Sequence, residues 1–216
     1  MAFLNKKVFL FILILVSALI AYLRTEQTNL NTDIKIISES EYVETYLQPF
    51  ESVIGADYPG YRNHIYRVLT FAIHFLNGKE DDIEIIAAAL VFHDIGLWTD
   101  KAISYIDVSV DRAKWTLRSI LPKESIDLVN NIIYWHHKIT PYTGRHEDVI
   151  EAVRKADWLD ATLGIVNYGM PAGHISKVYK AIPDSGFHQT LLTIGQRYHG
   201  WNYIRIVREI SQIFRL

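Results

Sequence analysis

Nine histidines and no cysteine leave imidazole and carboxylate as the side chains from which this chain could build a metal site. Their spacing places several of them on apolar faces. Residues 61–76 predict a helix. With about 100° of rotation per residue, Ile65, Val68, Phe71, Ala72 and Phe75 share one side. His64 falls inside that arc, and His74 falls outside it beside Arg67 and Thr70. A second helix, over 148–164, carries Val149, Ile150, Ala152, Val153, Ala156, Leu159 and Leu163 on one broad face. Asp157 and Asp160 sit within that face, while Glu151, Arg154 and Lys155 lie opposite. An inward carboxylate is costly unless it is paired or bound to a cation. Over 123–137, His136 lies near the middle of a side formed by Ile126, Val129, Ile132 and Ile133, with His137 at its edge. His93 and Asp94 close a further helix, over 81–92, in which Glu84 is the one polar residue after Ile83.

Taken singly, each residue also suits a plainer role: a hydrogen-bonded core histidine, a helix cap, a salt-bridged aspartate. Taken together, His64, His93-Asp94 and Asp157 come from three separate helices, and each is inward or at a buried helix end. Helical bundles build metal sites in this way.

The elements that must position these residues are helical throughout. Tyr58-Pro59-Gly60 predicts a turn before the first helix, and Asn77-Gly78 its end. Further helices are expected over 108–120, 175–180, 189–198 and 201–214, with loops at 141–144 and 169–173. No alternating strand pattern and no internal repeat is found. The expected fold class is all-α, a bundle of about seven to eight helices occupying 41–216. The aromatics Tyr198, Trp201, Tyr203 and Phe214 are assigned to its core.

The ordered set His64, His93-Asp94, Asp157 resembles the HD-domain superfamily of metal-dependent phosphohydrolases. Ala87-Ala88-Ala89-Leu90-Val91-Phe92-His93-Asp94-Ile95-Gly96 is similar to that family's central helix end. Lys155-Ala156-Asp157-Trp158-Leu159-Asp160-Ala161 is similar to its last metal-binding segment. The likeness runs over roughly 58–162. Tyr61-Arg62-Asn63-His64, His136-His137-Lys138 and the 182–192 segment resemble small bacterial HD-domain proteins. The resemblance implies that His64, His93, Asp94 and Asp157 ligate one divalent cation. This mixed donor set suits Mn, Fe, Co, Ni or Zn better than Ca. It implies cleavage of a phosphomonoester or phosphodiester, nucleotide-like in class, by metal-activated water. Asp94, His136 and Asp160 are the expected catalytic residues, His136 as substrate contact, proton shuttle or partial ligand to a second ion. Asp160 would act by orienting a ligand or a water. Arg62, Arg67, Lys138 and Lys155 are candidate phosphate contacts. The two-metal branches carry additional histidines, but none lies between His93 and His136 here, so a single metal is expected. The alternative is a membrane-anchored module that binds metal or nucleotide without turnover.

The formal charge of −2 and the absence of a long charge run give no nucleic-acid signal. Lys6 and Lys7 precede an apolar run over 8–23, slightly shorter than the ~20 residues of a spanning helix. Residues 1–25 are read as a single-pass membrane anchor, with a cleaved signal peptide as the alternative. Residues 26–40 are read as a linker. The basic residues ahead of the run favour a cytoplasmic N-terminus, with the domain on the other side.

Overall fold

The computed structural model describes residues 33–213, and among these every regular element is helical. The helices are α1 (Glu41–Leu47), α2 (Tyr58–Phe75), α3 (Ile83–Phe92), α4 (Ile106–Leu117), α5 (Lys123–Trp135), α6 (Glu147–Ala161), α7 (Ala172–Ala181), α8 (Phe187–His199) and α9 (Tyr203–Ile213). Single helical turns fill the connection from α1 to α2 and the segment Gly96–Thr99 after α3. The anchor read at 1–25 and residues 26–32 lie outside the described residues. No helix among those described is long and apolar enough to cross a membrane.

Three helices make the frame. Apart from Glu84 in its first turn, helix α3 is apolar all round, and Ile86 through Phe92 are all buried. A helix of that composition is stable only when surrounded. Helices α1, α2, α4 and α5 pack on it. Each fully buried Leu, Ile, Val or Phe side chain contributes about 1.5–3 kcal/mol of transfer free energy. Helix α2 lies along α6, and this pair forms the other half of the core.

Helix α2 begins earlier than the sequence suggests. Pro59 sits in its first turn, where no backbone N–H is required, so Tyr58-Pro59-Gly60 opens the helix rather than preceding it. Gly60 is needed for space. A Cβ there would stand 2.9 Å from the Phe187 backbone nitrogen and 3.0 Å from the Ser185 carbonyl oxygen. The helix ends where Asn77 and Gly78 take positive φ, and the Gly78 N–H reaches back to the Ile73 carbonyl at 2.9 Å.

Both central helices are covered on more than one side, which corrects two expectations from helical projection. His74, Arg67 and Thr70 are buried on α2. Residues 33–37 run along that side of the helix: Ile34 and Ile37 are buried, and the Ile37 N–H and C=O both bond to the Thr70 hydroxyl. The His74 ring meets His174 of α7 edge-on at 5.0 Å. On α6, Glu151 and Arg154 are buried rather than solvated. They form an ion pair at 2.6 Å beneath the loop that follows α5. That loop contributes the Tyr142 N–H to Glu151 and the Lys138 carbonyl to Arg154. Burial of such a pair is tolerated because its remaining hydrogen-bonding capacity is met. Of the C-terminal aromatics, Tyr198 packs against the core as assigned, whereas Trp201 and Tyr203 are exposed; Phe214 lies outside the described residues.

Candidate metal centre

His64 projects from the middle of α2, His93 and Asp94 from the end of α3, His136 and His137 from the end of α5, and Asp157 from α6. The folded chain brings them together. His64 Nε2 stands 3.0 Å from His93 Nε2 and 3.3 Å from Asp157 Oδ1. His93 Nε2 lies 3.3 Å from Asp94 Oδ2 and 3.6 Å from Asp157 Oδ1. His64 Nε2 is 3.9 Å from Asp94 Oδ2. Such separations suit donor atoms that share one ion at about 2.0–2.2 Å.

The other oxygens of the same carboxylates face a second pair of imidazoles. Asp94 Oδ1 lies 3.5 Å from His136 Nε2, and Asp157 Oδ2 lies 3.6 Å from His137 Nδ1. Potential ligand atoms of His64, His93 and Asp94 fall within 4.8 Å of one another, and so do those of Asp94, His136 and His137. Asp94 is common to both groups.

The hydrogen bonds behind the cluster fix which nitrogens face inward. Asp160 accepts from Arg67 Nε at 2.7 Å and Nη2 at 2.9 Å, so it is ionised, and it also meets His64 Nδ1 at 2.7 Å. That nitrogen therefore carries the proton. The Nδ1 atoms of His93 and His136 meet the carbonyls of Leu90 at 2.6 Å and Ile133 at 2.5 Å, and a carbonyl can only accept. Three imidazoles are thus held with Nδ1–H outward and an Nε2 lone pair toward the centre. Two carboxylates, Asp94 and Asp157, aim at the same place.

A buried convergence of acceptors without donors is unfavourable for the bare protein. Asp94 Oδ1, Asp157 Oδ2 and His136 Nε2 are buried and have no hydrogen-bond partner. The electrostatics register the same strain. Burial opposes charge on Asp94, but the neighbouring His93 and His136 outweigh it and hold its carboxyl well below the usual carboxylate range. Asp157 is held down in the same way, through His64 and His93. Burial also opposes charge on His64, yet Asp157 and Asp160 raise its pKa to about 9. The chemistry of the donor set, imidazole nitrogens and carboxylate oxygens in one buried place, is that of a group that could hold a metal ion.

Asp160 therefore stands behind His64 rather than against the centre. His136 is fully enclosed, whereas His137 borders the cavity above the cluster. His137 Nε2 meets the Tyr105 hydroxyl at 2.5 Å. Burial and the adjacent His136 push the His137 pKa down to about 3, so this imidazole is neutral. Burial and the nearby Asp94 hold the Tyr105 phenol well above its ordinary range, so it keeps its proton.

The roles of three contributors escape sequence reasoning, although two of them, Tyr61 and Phe187, lie in segments singled out for the resemblance. The Tyr61 hydroxyl donates to the Val91 carbonyl at 2.9 Å and braces the end of α3. Tyr105 follows the single turn at Gly96–Thr99, and no periodicity marks it. Phe187 stacks on His64 with ring centres 3.9 Å apart. The candidate phosphate contacts lie elsewhere. Arg62 is paired with Glu44 at 2.6 Å and Arg67 with Asp160. Lys138 is buried with its ammonium 4.6 Å over the Tyr134 ring, and the Lys155 ammonium is 5.9 Å from the Tyr168 ring.

The cluster opens into a cavity of about 400 Å³, walled largely by α8, α9 and the residues around Ile103. Comparison of the chain with protein-family models, with curated proteins and with solved structures finds no significant match.

Proposed function

We propose that the protein is a metal-dependent phosphohydrolase of the HD-domain kind, acting on a phosphomonoester or phosphodiester. One observation supports this most strongly. Three imidazole lone pairs and two carboxylates converge in a buried place where several of them find no protein donor. His64, His93, Asp94 and Asp157 would hold the ion. A divalent transition metal bound there supplies Lewis acidity, which acidifies water and polarises a phosphoryl oxygen. The protein's own contribution is position. Asp160 and the Leu90 carbonyl keep His64 and His93 in the required tautomer, and Phe187 covers the His64 ring and excludes bulk water from it. Tyr105, which lines the cavity and meets His137, keeps the proton on its phenolic oxygen. Its partner His137 stays uncharged and does not repel a nearby cation.

A second reading concerns the number of ions. The unpartnered Asp94 Oδ1, Asp157 Oδ2 and His136 Nε2 all face the His136–His137 side. This favours a second cation, which Asp94, His136 and His137 would hold beside Asp157, against the single ion expected from the sequence. Placement at a membrane rests on the sequence of residues 1–25 alone.

The test is metal-loaded protein assayed for phosphate release from a panel of phosphomonoesters, phosphodiesters and nucleotides, beside Asp94→Ala. Activity should vanish in Asp94→Ala together with bound metal. Turnover persisting in that variant would overturn the assigned centre. Tight ligand binding with no product over long incubation would replace the enzyme by a binding module. Metal analysis of the wild type should return two equivalents for the two-ion reading and one for the simpler reading.

A further inference from the structure

The cavity above the cluster has an unusual lining for a phosphate-handling site. Its floor is polar, formed by His64, Asp94, Asp157 and His137. Its walls are hydrocarbon: Leu97, Ile103, Leu191, Ile194, Ile206 and Ile213. No lysine or arginine lines it among the described residues. The cations that could have served a polyphosphate, Arg62 and Arg67, are spent on Glu44 and Asp160. At the rim the apolar character continues outward, with Leu192 81% exposed and Trp201 72% exposed.

A nucleotide is a poor match for these walls. Its base edges, ribose hydroxyls and further phosphates would be desolvated with few polar partners, at a cost for each group. A hydrocarbon chain gains from the same surroundings. The volume, about 400 Å³, lies within the range of sites that enclose a small organic ligand.

From these observations we infer that the substrate is an amphiphilic phosphoester. Its phosphate head lies over the His/Asp cluster, and its alkyl or similarly apolar chain runs between α8 and α9. The inference rests on the phosphohydrolase reading and narrows its substrate class away from nucleotides. In the reaction the oxygen of water bonds to phosphorus and the bond from phosphorus to the alkyl oxygen breaks. That oxygen departs as an alcohol after gaining a proton from the water, with no change in oxidation state.

The experiment uses the metal-loaded full chain with two homologous series kept below their micelle concentrations. One is ethyl, butyl, hexyl and octyl phosphate. The other is the matching alkylphosphonates, which bind but are not hydrolysed. Both kcat/KM for the phosphates and affinity for the phosphonates should rise by about fourfold per methylene until the cavity is filled. Hexyl phosphate should exceed adenosine monophosphate in kcat/KM. Ile210→Glu, at a half-exposed position on the cavity wall, should flatten both slopes in a folded protein. A flat series, or a preference for the nucleotide over octyl phosphate, would overturn the inference and leave the hydrolase reading intact. Phosphonate affinity that climbs with chain length while no phosphate is released from any ester would do the reverse. It would remove the hydrolase reading and retain the chain-binding cavity.

Discussion

Replacing Asp160 by asparagine should damage metal binding more selectively than stability. The carboxylate takes two hydrogen bonds from Arg67 and one from His64 Nδ1, at 2.7–2.9 Å. Asparagine keeps the shape but offers one acceptor oxygen and one NH₂ group. If the oxygen remains on Arg67, the NH₂ faces His64 Nδ1, and the imidazole can accept that bond only by moving its proton to Nε2. The protonated Nε2 can no longer serve as a ligand. Loss of an outer partner of a metal-bound histidine typically costs 10–100-fold in affinity, and about that loss is expected here. Removing the direct partner of a buried ion outright costs about 3–5 kcal/mol, and here Asp184, 3.8 Å from Arg67 Nη2, offsets part of that. The retained amide oxygen should place Asp160→Asn below that range. The assay is metal affinity by competition with a chelator, paired with urea unfolding of the metal-free protein. Glu151→Gln is the control, because it weakens a comparable buried ion pair with Arg154 that has no bond to the cluster. It should lower stability and leave metal affinity within a factor of about two. Equal metal affinity in Asp160→Asn and wild type, with stability reduced, would refute the tautomer argument and make Asp160 a purely structural anion.

Two further outcomes are expected. Gly60→Ala places a Cβ against the Phe187 and Ser185 backbone, so it should displace Phe187 from the His64 ring and cost about 1–3 kcal/mol; calorimetry and the His64 imidazole NMR shift would show this. Glu209 of α9 is held by Arg205, His199 and the Ile103 N–H, which outweigh its burial and bring its carboxyl down to about 2 from an ordinary 4.5. A depressed carboxyl stabilises the fold fully above its ordinary value and loses that contribution as pH falls toward about 2. Acidification through that window should loosen α9, with Trp201 fluorescence as the readout, and Glu209→Gln should respond less steeply to the same acidification.

Much of the centre was legible because its residues obey helical periodicity while violating binary patterning. His64 among Ile65, Phe71 and Phe75, and Asp157 among Ala156 and Leu159, are polar residues on apolar stripes, and a stripe faces the core. The same projection failed for Arg67, His74, Glu151 and Arg154 for a definite reason. It assumes that each helix has one covered side, whereas α2 and α6 are wrapped on several. A polar residue on the supposed outer side was then buried with a partner from a distant segment, such as residues 33–37 or the loop after α5. Pro59 and Gly60 were read as turn signals, although proline is equally at home in a helix's first turn, and the glycine answers to Phe187, over a hundred positions away. The turns between α1 and α2 are too short for a period to emerge. Tyr105, Phe187 and the apolar cavity depend on tertiary approach alone, so no local pattern could mark them.

The pairing of α2 with α6 carries a practical implication. His64 and Arg67 lie one turn apart on the first helix, and Asp157 and Asp160 one turn apart on the second. Their cross-bonds work like two teeth of a ratchet. Sliding either helix by a single residue, about 1.5 Å, would disengage both teeth together. An engineer wishing to transplant the centre into another scaffold would therefore move these two helices as one part, with their axial alignment copied, together with the end of α3 that carries His93 and Asp94.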